Sequence, residues 1–256
     1  NVGTLLTWSS VKICAPPTAT GTSRIEKNQF SGTGGKVSGG GIQVAANHGT
    51  REQLIIESNV IDNTDDSAVY AARGDFHGQI INNIFRNNRR AGITFTGPAD
   101  GVVFKGNQIY NVGPKHWHGI RLLAYANLRI RNIRIEGNYI WDVGENGIHA
   151  TTSENGRIEN LQIVNNVITN TGWYGVYLSE SSGPALNNVS LSGGCYASNS
   201  GGTLFDNRTG RVLPAPPASG SCPKPGSGDT TAPSVNISYP GNGSAVSGVV
   251  TLSANA

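Results

Sequence analysis

Methionine is missing from all 256 residues, so Asn1 is not a translation start and the sequence reads as a mature or trimmed piece. Charge is scarce as well, with Asp, Glu, Lys and Arg making up 14% of the chain. The formal net charge of +3 is too slight to imply a nucleic-acid partner, and no nucleic-acid-binding motif appears. No apolar run approaches the roughly 20 residues that a membrane-spanning helix needs. Apolar residues at three-to-four spacing, the mark of helical repeats, are also absent. So is the regular leucine framework of leucine-rich repeats.

What the chain has in abundance is glycine, 35 residues of it, which suits a turn-rich β-architecture. Its organising unit is Ile133–Ala150, IRIEGNYIWDVGENGIHA. Ile133 and Ile135 alternate as in a strand, Asn138 makes a turn, and Ile140 marks a short second strand. A further turn at Val143–Asn146 leads to a third strand opened by Gly147-Ile148. The same signature recurs at RIEKNQF with GGGIQV, LIIESNVI with SAVYA, QIINNIF with AGITF, VVFKGNQI with HGIRL, and LQIVNNVI with YGVYL. VSLSGGCY with GGTLF is a weaker last copy.

The marker asparagines Asn28, Asn59, Asn83, Asn107, Asn138 and Asn166, with Gly194 in seventh place, lie 31, 24, 24, 31, 28 and 28 residues apart. Three short strands and three turns need about that many residues per repeat, and a repeated period of this kind defines a solenoid. Arg24–Val212 therefore resembles the right-handed parallel β-helix of the pectate-lyase-like superfamily. The expected fold is all-β, a solenoid of about seven coils. With coils stacked about 4.8 Å apart, Ile42/Val69/Ile93/Ile120/Ile148/Val176 and Phe30/Ile61/Phe85/Ile109/Ile140/Ile168 should form inner columns. The marker asparagines should form a hydrogen-bonded amide ladder, a structural role.

Outside the solenoid, residues 1–23 read as a remnant coil or a cap, with Val11-Lys12-Ile13 strand-like. Residues 213–230 are a Pro/Gly/Ser linker. Residues 231–256 look like the opening strands of a bacterial immunoglobulin-like module, too short to close a sandwich. Cys195 and Cys222 could form a disulfide over the end of the solenoid, where a cap is needed. Cys14 lies at the opposite end, about 29 Å away by the strand spacing, beyond disulfide reach. A secreted or surface-attached bacterial protein is expected, acting as a monomer.

Relative to the shortest coils, Ser31–Gly40 and Gly113–His118 lengthen the turn before the Gly-Ile strand. Ala124–Asn132 and Thr151–Asn160 lengthen the turn after it. Insertions on one face of a solenoid point to a binding face, here a walled groove. Strand side chains alternate, so the outward column there reads Gln43, Tyr70, Thr94, Arg121, His149, Tyr177, Leu204. A second outward column reads Ala45, Ala72, Thr96, Leu123, Thr151, Ser179, Asp206.

The resemblance implies an enzyme acting on an acidic polysaccharide in this groove. β-Elimination on a uronan needs a cation for the carboxylate, a base for the α-proton and an acid for the leaving oxygen. Arg121 suits the first task, its planar fork matching a carboxylate. His149 and Tyr177 can divide the other two in either order. Substrate contacts are expected from Lys115, His116, Trp117, His118, Glu145, Trp173, Tyr174 and Glu180, with Trp117 and Trp173 offering stacking faces. Glu145 and Glu180 also suit acid or base work.

Between Arg86 and Arg134 stand nine basic residues and one acid, Asp100, a belt that favours an anionic partner. The aspartate cluster of calcium-dependent pectate lyases is not evident, and His116 and His118 lack a third ligand, so no metal site is assigned and calcium stays open. Asp65-Asp66 lacks the Gly-His-Gly that should accompany it in a polygalacturonase and reads as a turn. The alternatives are a glycoside hydrolase on the same fold and a non-catalytic glycan-binding or adhesin β-helix.

Overall fold

The computed structural model describes residues 9–13, 21–32, 40–44, 49–72, 75–114, 116–181, 185–208, 211–213 and 222. The chain divides into two compact units, Asn1–Pro223 and Lys224–Ala256. The second unit, which holds the segment expected to open an immunoglobulin-like module, lies wholly outside the described residues, as do Cys14 and most of the linker. No helix of the described chain is long and apolar enough to cross a membrane.

Three parallel sheets form the faces of a solenoid of about six full turns. The first face carries the strand before each marker asparagine, from Thr22–Glu26 through Arg129–Glu136 to Leu186–Ser192. The second carries the short strand after it, from Gln29–Ser31 to Cys195–Ala197. The third carries the Gly-Ile strands, Gly40–Val44, Val69–Ala71, Ile93–Phe95, Ile120–Ala124, Ile148–Thr152, Tyr174–Glu180 and Gly202–Asp206. Ser9–Ile13 pairs parallel with Gly40–Val44, so the strand around Val11 is an earlier rung of this third face.

Both inner columns stand in register. Ile42, Val69, Ile93, Ile120, Ile148 and Val176 are paired rung to rung. So are Phe30, Ile61, Phe85, Ile109, Ile140 and Ile168, and nearly all of these side chains are fully buried. Glycine opens most of the third-face strands, and at Gly92 and Gly119 a methyl has no room: a Cβ there would lie 2.5 or 2.6 Å from Ile109 or Ile140 Cγ2.

The amide ladder runs without a break from Asn28 to Asn166. Each marker Oδ1 accepts both the backbone N–H and the Nδ2–H of the asparagine one coil earlier, at 2.9–3.0 Å. The residue before each marker (Lys27, Ser58, Asn82, Gly106, Gly137, Asn165, Gly193) has a left-handed backbone. That conformation turns the chain and brings each marker amide inward. The ladder ends at Gly194.

Three expectations need correction. Only 125–128 and 153–156 form turns after the third face; Arg129–Asn132 and Arg157–Asn160 extend the first face instead. That side of the groove is therefore walled less than the sequence suggests. Their asparagines make a second, exposed ladder: Asn160 donates to Asn132, and Asn132 to Asp100. In the last coil the frame slips by one, since Tyr177 pairs with Phe205 and Leu178 with Asp206. Leu204 and Asp206 thus face inward and are buried, and Phe205 takes the outward place.

Cys195 and Cys222 are disulfide-bonded, tying residue 222 to the final coil. Breaking this bond with Cys195→Ser is expected to cost about 2–4 kcal/mol, read as a lower denaturant midpoint.

Candidate functional site

Arg121, His149 and Tyr177 occupy successive rungs of the third face, in direct register, between Thr94 and Phe205. Alternation around the buried Ile120/Ile148/Val176 column turns all three outward. This stacked placement is the one the repeat period predicts.

On the C-terminal side lies a continuous aromatic surface. The Trp173 and Tyr177 rings stack at 5.1 Å, Tyr177 and Phe205 at 5.1 Å, and Tyr174 and Phe205 at 5.2 Å. Trp173 remains 42% exposed, a large apolar ring offered to solvent. Phe205 was missed in the sequence because Gly201-Gly202 admits two frames. Thr203, buried, takes the place of Gly175 in the preceding coil.

On the N-terminal side, Trp117 carries two guanidinium groups, Arg90 at 5.0 Å and Arg121 at 5.3 Å from its ring. A pocket of about 490 Å³ lies beside it, lined by Asp65, Arg89, Arg90, Pro114, His116 and Trp117. Lys115 falls outside the described residues.

The basic belt is mostly neutralised. Arg86, Arg89, Arg90, Arg131 and Arg134 each sit within 4.0 Å of a carboxylate, from Asp62, Asp65, Asp66, Asp100 and Glu136 respectively. Among the described residues of the belt, Lys105, Arg121 and Arg129 have no ion-pair partner; Lys105 and Arg129 are exposed, whereas Arg121 is half-buried and its Nε is buried without a hydrogen bond. Burial lowers its pKa, while the more distant Glu145 carboxylate pulls the other way. Asp65-Asp66 forms a turn whose carboxylates hold Arg89 and Arg90, and Asp66 Oδ1 also accepts the Ser67 N–H.

Glu145 is half-buried, and that desolvation raises its carboxyl pKa against the lowering effects of His116, Arg121 and an Asn146 hydrogen bond. Burial, with help from Tyr174 and Glu145, also raises the Tyr177 phenol. The phenol makes no hydrogen bond among the described residues. Glu180 has other work, because its Oε1 accepts the backbone N–H groups of Ala185 and Leu186.

His118 is buried and reaches outward beneath His149. Its Nε2 lies 2.8 Å from His149 Nδ1, and the rings meet edge to face. Its Nδ1 faces the Asn146 backbone N–H and Nδ2, both at 3.4 Å. Desolvation takes His118 down to about 2 and His149 to about 4, with nearby Arg121 lowering both, so neither ring is charged at neutral pH. The remaining nitrogen, His149 Nε2, is buried and unbonded. Among the described residues no group of three His, Cys, Asp or Glu could hold a metal ion.

The architecture is a parallel β-solenoid with one aromatic, cation-bearing strip. A family model described as "Right handed beta helix region" matches residues 17–109 and 50–210, and the chain belongs to that family. No curated relative matches it. Among solved structures, the chain is similar to the catalytic unit of a thermostable GH87 α-1,3-glucanase from Streptomyces thermodiastaticus strain HF3-3, at 12% identity and a TM-score of 0.37. That match covers 76% of this chain and 48% of the glucanase unit, so the chain spans about half of it.

Proposed function

We propose that this β-helix cleaves an acidic polysaccharide by β-elimination along the Arg121–Tyr177 strip. The observation that carries the reading is Arg121, a half-buried guanidinium 5.3 Å from the Trp117 ring that has no ion-pair partner among the described residues and leaves its Nε unbonded, while Arg90 over the same ring is paired with Asp66. A half-buried cation lacking a counter-ion is costly unless an anion arrives. A uronate carboxylate, taken by the guanidinium fork, meets that need.

With the carboxylate neutralised, Glu145 removes the α-proton and electrons move to form the carbon–carbon double bond. The glycosidic carbon–oxygen bond β to the carboxylate then breaks, and the Tyr177 hydroxyl protonates the leaving oxygen. Glu145 passes its proton to the Tyr177 phenolate, which restores both groups. The shifts suit these tasks: the raised carboxyl makes a stronger base, and the phenol stays protonated. A two-carboxylate hydrolase has less support, because Glu180, Asp206, Asp65 and Asp66 are engaged with backbone or arginine partners.

Incubation with a panel of uronans, followed by absorbance of the unsaturated product, tests this reading. Reducing ends without that absorbance would instead indicate a hydrolase. The Trp173–Tyr177–Phe205 surface, with Trp173 exposed, also supports glycan binding without cleavage, the outcome if no glycan yields product but binding persists. Under either reading Trp173→Ala should weaken glycan affinity about tenfold, on the order of 1–2 kcal/mol, by titration calorimetry. The Cys195–Cys222 bond supports export to an oxidising compartment.

A further inference from the structure

We infer that His149 is not the proton-transfer group of this strip but a neutral positioning residue, its tautomer set by His118 and Asn146, that holds the Tyr177 ring in place. This deepens the lyase reading and rests on it for the role of Tyr177. The proton assignment itself stands apart from any activity.

The assignment starts from a backbone amide, whose direction is fixed. The Asn146 N–H points at His118 Nδ1, 3.4 Å away, and can only donate. The Asn146 side chain agrees. Its Oδ1 accepts the Tyr174 N–H at 3.1 Å, which orients the amide and leaves Nδ2 against the same His118 nitrogen. With two donors facing it, His118 Nδ1 is the acceptor, so the proton of the neutral ring sits on Nε2. That proton is shared at 2.8 Å with His149 Nδ1, which must then accept. His149 therefore carries its own proton on Nε2.

Both nitrogens of His149 are thus closed to a sugar. Nδ1 has spent its lone pair on His118, and Nε2 has none to offer and exposes no surface. Taking an α-proton would require breaking the pair and reversing the tautomer against a fixed backbone donor. What His149 does offer is an edge-to-face ring contact with Tyr177 at 5.1 Å. Trp173 and Phe205 stack on Tyr177 as well. The phenol is thereby held as the chemistry of the strip requires.

Two measurements test this on the intact protein. Long-range ¹H–¹⁵N spectra should show both His118 and His149 as neutral Nε2–H tautomers that do not titrate between about pH 5 and 8. A His149 signal from the Nδ1–H tautomer, or one that titrates in that window, overturns the inference whether or not any glycan is cleaved. On a uronan, His149→Phe keeps the ring and discards both nitrogens, so it should stay within about tenfold of wild-type kcat and exceed His149→Ala. Glu145→Gln should fall by about 10²–10⁴. If His149→Phe falls as far as Glu145→Gln, the positioning role is wrong. If no uronan is cleaved by wild type, the lyase reading and the role of Tyr177 fail with it, while the spectra still decide the tautomer.

Discussion

Arg121→Ala is expected to lower kcat/KM on a uronan by about 10²–10³, some 3–4 kcal/mol of transition-state stabilisation, the scale of losing one preorganised donor to a developing oxyanion. The negative charge grows on the carboxylate as the α-proton leaves, so the loss should appear in kcat as well as KM. Arg121→Lys should recover little. An ammonium cannot grip both carboxylate oxygens through a planar fork, although it could keep the cationic contact with Trp117.

The pH profile supplies an independent signature. The base must be ionised, so turnover rises as pH climbs through the Glu145 pKa, which burial holds above the ordinary carboxylate value. The acid must be protonated, so turnover falls only above the ordinary phenol range. Arg121 lowers the Glu145 pKa, and removing it should move the acidic limb of residual Arg121→Ala activity to higher pH. An unmoved limb would mean that Glu145 is not the base.

The second large effect concerns folding. Asn138→Ala should destabilise the solenoid by about 3–5 kcal/mol, a large share of a typical total. Asn138 Oδ1 accepts from the Asn107 N–H and Nδ2 at 3.0 and 2.9 Å. Its Nδ2 donates to the Phe104 carbonyl and to Asn166 Oδ1 at 3.0 and 2.9 Å. Truncation leaves several of these groups buried and unpaired, with no route for water into the core beside Ile140. Asn138→Asp should fare little better, because a carboxylate accepts but cannot donate. Denaturant midpoints measure both, and wild-type values would refute the energetic weight given to the ladder.

These two sites differ in how far the sequence revealed them. The ladder and both inner columns were legible because each depends on one residue type at one repeated place, and stacking then makes distant copies neighbours. The order Arg121, His149, Tyr177 followed from the same period. The fate of the arginine belt could not be read this way. Arg86 and Arg90 are paired with Asp62 and Asp66 of the preceding coil, and only coordinates show which outward side chains bend toward each other. The His118–His149 contact fell between. His118, Asn146 and Tyr174 each precede the glycine of a copy, so carrying the column back by one place would have lined them up. Read as part of a loop, His118 looked like a surface residue instead of the buried partner it is. The role of His149 changes with it, since alternation tells which way a side chain leaves the strand but not what closes over its nitrogens.

Among the described residues Arg211–Leu213 is the one strand of the third face that runs against its neighbour, lying antiparallel on Gly202–Asp206. Stacked rungs otherwise leave their last peptide groups as a template on which a second molecule could continue the pile. Arg211–Leu213 takes up the free edge of Gly202–Asp206, and a strand of only three residues offers an arriving copy little to pair with. Head-to-tail growth on this face would have to start from that short strand.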